Sequence, residues 1–290
     1  METISDIEMA FEGIEEIEVI GEALEISYRG GPEAKEVFLN GLLESNDAST
    51  EGISYHRSGN KLRVEAKTGG MGSFLWGKRT AGFINLTGPE DIYLQMKSSS
   101  GSMDVSHVRH QKILLKASSG RIYASDIHSD DLQIQISSGR AEAEDLEGTV
   151  HLQLSSGRAG LKKTVGDVQF KGSSGFVEII DVAGLVSGTM SSGKATLGNI
   201  AELGEIRLSS GMLEANNCGL GSKTYLQASS GFLKVTTHSS LEDFNFDFSV
   251  GSGSLTIGDR HSSNDLLIDN GAVVTVKGSV RSGKMDISEY

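Results

Sequence analysis

Three carboxylates, Glu142, Glu178 and Glu214, occupy one position of a repeated pattern, each three residues after a glycine. Two carboxylates facing one glycosidic bond can share the acid and base work of hydrolysis, and roughly 6.5–9.5 Å between them suits an inverting enzyme. On strands stacked ~4.8 Å apart, alternate rungs would set these groups ~10 Å from one another. The competing reading is electrostatic. Arg121, Arg140, Arg158 and Lys194 recur one residue after the same glycines, so each Glu lies two positions from a cationic column and ion-pair ladders account for it. Gly160 and Thr196 fall between the three acids, which predicts a flat surface without a cleft. A carbohydrate-active β-helix enzyme using these outward carboxylates is therefore the alternative. The leading expectation is a solvated face that binds through its Arg and Lys.

Other chemistries find less support. Ser-Ser-Gly ends on Gly101, Gly120, Gly139, Gly157, Gly175, Gly193, Gly211 and Gly231. A serine nucleophile needs one hydroxyl with its own base, whereas repeated hydroxyls suit corners that bond along a stack. His107, His110 and His128 come close by repeat arithmetic, yet no carboxylate or cysteine is evidently placed to complete a metal site. Phosphate loops, dinucleotide fingerprints and nucleophile elbows are missing from the sequence. Catalytic residues, metal ligands and cofactors are accordingly expected to be none.

The elements that carry these residues follow from the spacing. Successive glycines of the eight copies lie 19, 19, 18, 18, 18, 18 and 20 residues apart. A fixed short period is the mark of a solenoid, in which each repeat buries its apolar face only against its neighbours. Degenerate copies extend the series at Ser252-Gly253, Asn270-Gly271 and Ser282-Gly283. Two and four residues after each glycine, and five before it, the residues are mostly apolar, with polar ones between. That alternation reads as two short strands around a corner. Gly188 and Gly278 interrupt the column five before. A further inward column, seven after the glycine, holds Val108, Ile127, Leu146, Val182, Ile200 and Cys218. Just before it, Asp126, Asp145, Asp181, Asn199 and Asn217 predict a ladder of turns. The fold class is all-β: a single-stranded, right-handed β-helix of about ten coils, on the order of 50 Å long at the spacing of paired strands.

Composition agrees. Gly is abundant at 37, Pro numbers 2, and the lone Cys218 excludes an internal disulfide framework. It should be a buried, inert thiol. Residues 1–50 hold 13 acidic side chains against Arg29 and Lys35, a balance of −11 within a total of −13. Nucleic acid is disfavoured as a partner. The first 20 residues carry seven acids and no base, the reverse of a secretory leader, and no apolar run reaches about 18 residues. The sequence as given therefore reads as cytoplasmic, with cell-envelope association the alternative.

Residues 1–90 lack the repeat and are expected to form a small β-rich cap on a solenoid of residues 91–290. Strands are predicted around 17–20, 24–28, 53–55 and 61–66, with a hairpin turn at Ser58-Gly59-Asn60 and a short helix over 33–46. In the 68–79 loop, Phe74, Leu75 and Trp76 stand among glycines and before Lys78 and Arg79. They could plug the end of the core, or touch a lipid surface or partner. The C-terminal end could be blunted by charge or serve as an oligomer interface.

The stretch Gly88-Pro89-Glu90-Asp91-Ile92-Tyr93-Leu94-Gln95-Met96-Lys97-Ser98-Ser99-Ser100-Gly101 leads by proline, acid and strand into the Ser-Ser-Gly coils. With Gly59-Asn60-Lys61-Leu62-Arg63-Val64 before it, this resembles the bacterial putative-adhesin family, over roughly residues 12–288. The resemblance implies a β-solenoid with an N-terminal β cap, surface or stress-response roles at the cell envelope, and no catalytic residues. A non-enzymatic solenoid offering flat faces to a protein or glycan is thus the functional expectation.

Overall fold

The computed structural model describes residues 1–68 and 79–290. Apart from one 3-10 turn at Leu241–Asp243, the regular structure of these residues is strand. The fold is an all-β, solenoid-like repeat divided into two compact units, Met1–Glu147 and Gly148–Tyr290.

In the first unit, one sheet runs in the order β5 (Gly52–Ser58), β6 (Lys61–Lys67), β2 (Glu16–Ile20), β8 (Tyr93–Ser98), β10 (Lys112–Ala117) and the second half of β11 (Arg121–Ile136). The other runs β1 (Glu2–Glu12), β4 (Glu36–Ser45), β7 (Thr80–Pro89), β3 (Glu25–Gly31), β9 (Ser102–Arg109) and the first half of β11. The coil formed by β2 and β3 is thereby inserted between β6/β7 and β8/β9, although it precedes both in the chain. Residues 36–45 are a strand, not the expected helix. Val37, Leu39 and Leu43 point into the core with period two, and the antiparallel partners β1 and β7 satisfy both edges of the backbone.

The second unit repeats the plan. One sheet holds residues 150–154 of β12 (Arg140–Leu154), then β14 (Val168–Gly172), β15 (Phe176–Met190), β16 (Lys194–Leu208), β18 (Tyr225–Ala228), β24 (Val274–Val280), β20 (Phe244–Val250) and β23 (Leu266–Ile268). The other holds β13 (Arg158–Val165), β15, β16, β17 (Met212–Cys218), β19 (Phe232–Thr237), β25 (Lys284–Glu289), β21 (Ser254–Ile257) and β22 (Arg260–Ser262). Here the last coil of the chain, β24 with β25, is threaded between β18/β19 and β20/β21. The copy at Asn270-Gly271 is therefore not a corner. Gly271 turns with φ +70°, Val273 is fully exposed, and the segment returns the chain from the antiparallel strands β22 and β23.

The corner chemistry is steric. A Cβ on Gly175, Gly193 or Gly211 would lie 2.2–2.3 Å from the carbonyl oxygen of the glycine one coil earlier. These three also hold φ between +91° and +98°, a region that disfavours side chains. Along the stack the serine corners are joined through the backbone, as in Ser192 N–H to Ser173 O and Ser210 N–H to Ser191 O, each 2.8 Å. The turn ladder is a column of left-handed residues: Asp181, Asn199 and Asn217 have φ of 60°, 53° and 55°. Their side chains bond in series, Asn199 Nδ2 to Asp181 Oδ1 at 2.7 Å and Asn217 Nδ2 to Asn199 Oδ1 at 2.9 Å. The glycines that interrupt the inward column have partners. Gly188 lies opposite Phe170 and Gly278 opposite Phe248, and each leaves room for the neighbouring ring.

Candidate binding surface

In the second unit, the residues one after each corner glycine stand side by side on the outer face. Successive strand pairings put them in the order Arg158, Phe176, Lys194, Met212, Phe232, Lys284. The backbone alternation that buries Val177, Ala195, Leu213, Leu233 and Met285 turns their predecessors outward. Arg158 and Lys194 were legible in the sequence as cations. Phe176, Met212, Phe232 and Lys284 carry the same signal, the position after the glycine, but their mixed chemistry hides the column.

The cations are engaged. The Arg158 guanidinium sits 4.7 Å from the Phe176 ring centre and 3.4 Å from Glu178. Lys284 lies 5.4 Å from the Phe232 ring centre. Lys194 pairs with Glu214 at 2.7 Å. In the first unit, Arg140 pairs with Glu142, while Arg121 is exposed on the matching position of β11 and has no ion pair among the described residues. The three glutamates are thus partners of the cationic column, and such exposed pairs contribute about 0–1 kcal/mol each. With each carboxylate paired to a cation, the arrangement offers contact through Phe176, Met212 and Phe232, with hydrogen-bonding groups alongside. Phe74, Leu75 and Trp76 lie outside the described residues.

The histidines do meet carboxylates, which the spacing alone did not reveal. In the first unit, His107 Nδ1 is hydrogen-bonded to Asp126 Oδ2, and His128 Nε2 is 2.7 Å from Glu147 Oε2. The His107 contact, opposed by partial burial, holds the Asp126 carboxyl below its ordinary value. The described residues hold no group of three or more ligands placed for a metal ion. A second charged cluster surrounds Glu18, which is nearly buried. Burial would raise its carboxyl, but Arg63 at 2.9 Å and Lys97 at 3.3 Å outweigh it and leave a net lowering. Cys218 is fully buried, and burial pushes its thiol up to about 12.

The sequence pattern of the family described as Toastrack DUF4097 matches residues 44–288. The chain belongs to the Toastrack DUF4097 family. No curated protein matches. Among solved structures, this Toastrack chain is similar to a protein from Parabacteroides distasonis described as a putative lipid binding protein. The two are 15% identical with a TM-score of 0.50, over 98% of this chain and 96% of that one. It is also similar to a putative adhesin from Parabacteroides merdae, at 10% identity and a TM-score of 0.52, over 99% of this chain and 96% of that one. At such identities the likeness is one of fold. No helix among the described residues is long and apolar enough to cross a membrane.

Proposed function

We propose that this protein is a non-enzymatic binding module of the bacterial cell envelope. In this reading it is a right-handed, single-stranded β-helix of about ten coils whose repeats stack by nearest-neighbour contact. Residues 1–90 cap the solenoid of residues 91–290. The ligand, a glycan or an extended protein segment, lies along the column Arg158–Phe176–Lys194–Met212–Phe232–Lys284, and many weak contacts replace one deep pocket. The observation that carries this reading is the unbroken row of half-exposed apolar and cationic side chains, one per rung. The acidic net charge of −13 speaks against nucleic acid. The adhesin name of the Parabacteroides merdae structure agrees with a binding role.

A glycan-array and protein-capture screen of the full chain tests this. At least one captured ligand should be weakened tenfold or more by Phe176→Ala with Phe232→Ala, without a change in the unfolding midpoint; captured ligands that are all indifferent to this double variant would overturn the reading. Turnover of a bound glycan that Glu142→Ala, Glu178→Ala and Glu214→Ala abolish would overturn the reading and establish the enzyme alternative. A second reading has one support, the lipid-binding name of the Parabacteroides distasonis structure. In it Phe74, Leu75 and Trp76 dock on a lipid surface beside Lys78 and Arg79. Flotation with liposomes containing anionic lipid should then depend on Trp76, and Trp76→Ala should remove it.

A further inference from the structure

A depression of about 390 Å³ opens in the second unit where the inserted strand β24 lies between β18 and β20. Its origin is visible in one column. Four residues before the corner glycine, the outward position carries Gln153, Lys171, Thr189, Arg207 and Gln227 in this unit, long side chains but for the single Thr189. On the two rungs after Gln227 it carries Ser279 and Ser249, which pair directly across β24 and β20. Thr189 stands alone between Lys171 and Arg207, whereas two short side chains on adjacent rungs leave a trough. Gln227 forms one wall, Asp265 the other, and Arg281 stands at the corner end.

We infer that this trough is a binding site for a neutral saccharide, holding one or two pyranose rings. Its volume falls within the range of small-ligand clefts, roughly 300–1,000 Å³. The polar lining mixes donors and acceptors. Asp265 Oδ1 accepts the Val250 N–H at 2.8 Å, which leaves Oδ2 as an acceptor. Gln227 Oε1 is taken by Arg207, which leaves its Nε2 as a donor. Arg281 donates, and the hydroxyls of Ser249 and Ser279 can do either. No ion pair joins Arg281 to Asp265 among the described residues. One cation and one carboxylate sharing a site repel neither a neutral ligand nor each other, whereas a phosphate would meet Asp265 and an ammonium would meet Arg281. Three uncharged hydrogen-bonding groups beside them favour a polyol over an amino-acid zwitterion. Val250 and Val280 also line the trough but are buried, so the polar groups carry the recognition. The site is separate from the outer column of the proposed function and does not rest on it.

The test uses the full chain and ligand-observed NMR with cellobiose, maltotriose and chitobiose, and with glycine and inorganic phosphate as charged probes. At least one sugar should bind. The double variant Ser249→Gln and Ser279→Gln restores the long side chains of the column, and it should weaken that binding tenfold or more with the unfolding midpoint unchanged. Arg281→Ala should weaken it several-fold, and Phe176→Ala with Phe232→Ala should leave it intact. Failure of all three sugars to bind overturns the inference. So does sugar binding that survives the double serine variant, or competition by glycine or phosphate at the same site.

Discussion

Replacing Gly188 with alanine should destabilise the second unit by about 1–3 kcal/mol through overpacking. The added Cβ would lie 2.2 Å from Cδ1 of Phe170 and 2.3 Å from Cε1, well inside contact distance. Gly188 sits within β15, opposite Phe170 on β14, and is not among the residues with positive φ. Alanine is therefore acceptable to the backbone, and the penalty belongs to the ring. That makes the effect separable. Phe170 is 3% exposed, so Phe170→Leu alone should cost about 1–2 kcal/mol of lost packing. In the double variant the smaller side chain frees the space that the new methyl needs, and the loss should fall short of the sum by about 1 kcal/mol or more. Urea unfolding of the full chain followed by far-UV circular dichroism reads all four corners of the cycle. Additivity within about 0.5 kcal/mol would refute the claim that the glycine is kept to admit its neighbour's ring.

Asn199→Ala should cost about 1–2 kcal/mol, because alanine takes the left-handed conformation at a penalty and the side-chain bonds to Asp181 and Asn217 are lost; Asn199→Gly, tested in the same urea assay, should recover most of the backbone part. Asp126 has a folded pKa below its ordinary 3.8, so its contribution is present above that value and fades as pH falls through the folded pKa. Asp126→Asn should therefore lower stability at pH 7 by at most about 1 kcal/mol, its side chain being 41% exposed, and urea midpoints of variant and parent should converge as pH falls through the folded pKa of Asp126. Cys218, with its thiol pushed up to about 12 by burial, should resist a disulfide reagent at pH 8 and react fully in denaturing urea; rapid reaction of the folded chain would show that its coil opens locally.

Much of the coil is legible in the order of residues alone. Except at the degenerate copy Asn270-Gly271, the columns two, four and seven after the corner glycine are buried where the alternation places them, and Cys218 lies in the last of them. The hairpin at Ser58-Gly59-Asn60 forms with Gly59 at φ +62°. The expectation of a helix over 33–46 failed because residues 36–45 take their conformation from two flanking strands that intrinsic propensity does not see. Of the outer column, the cations were legible and the aromatic members were not, since a search for like residues passes over a row that alternates in kind. The trough was not legible at all. Ser249 and Ser279 lie far apart in the chain, and nothing local says that they are neighbours.

The sequence by itself determined the repeating unit: its length, its inward columns, its glycine corners and its left-handed turns. Each of these depends on contacts within one coil or between coils adjacent in the chain, so every repeat states them again. Only the tertiary structure decided the order of the coils within each unit, where β2/β3 in the first and β24/β25 in the second are inserted between coils that do not adjoin them in sequence. A parallel strand edge bonds any partner with the right pleat, so the backbone leaves that choice open. It is made by long-range packing, in which Gly278 must find the ring of Phe248.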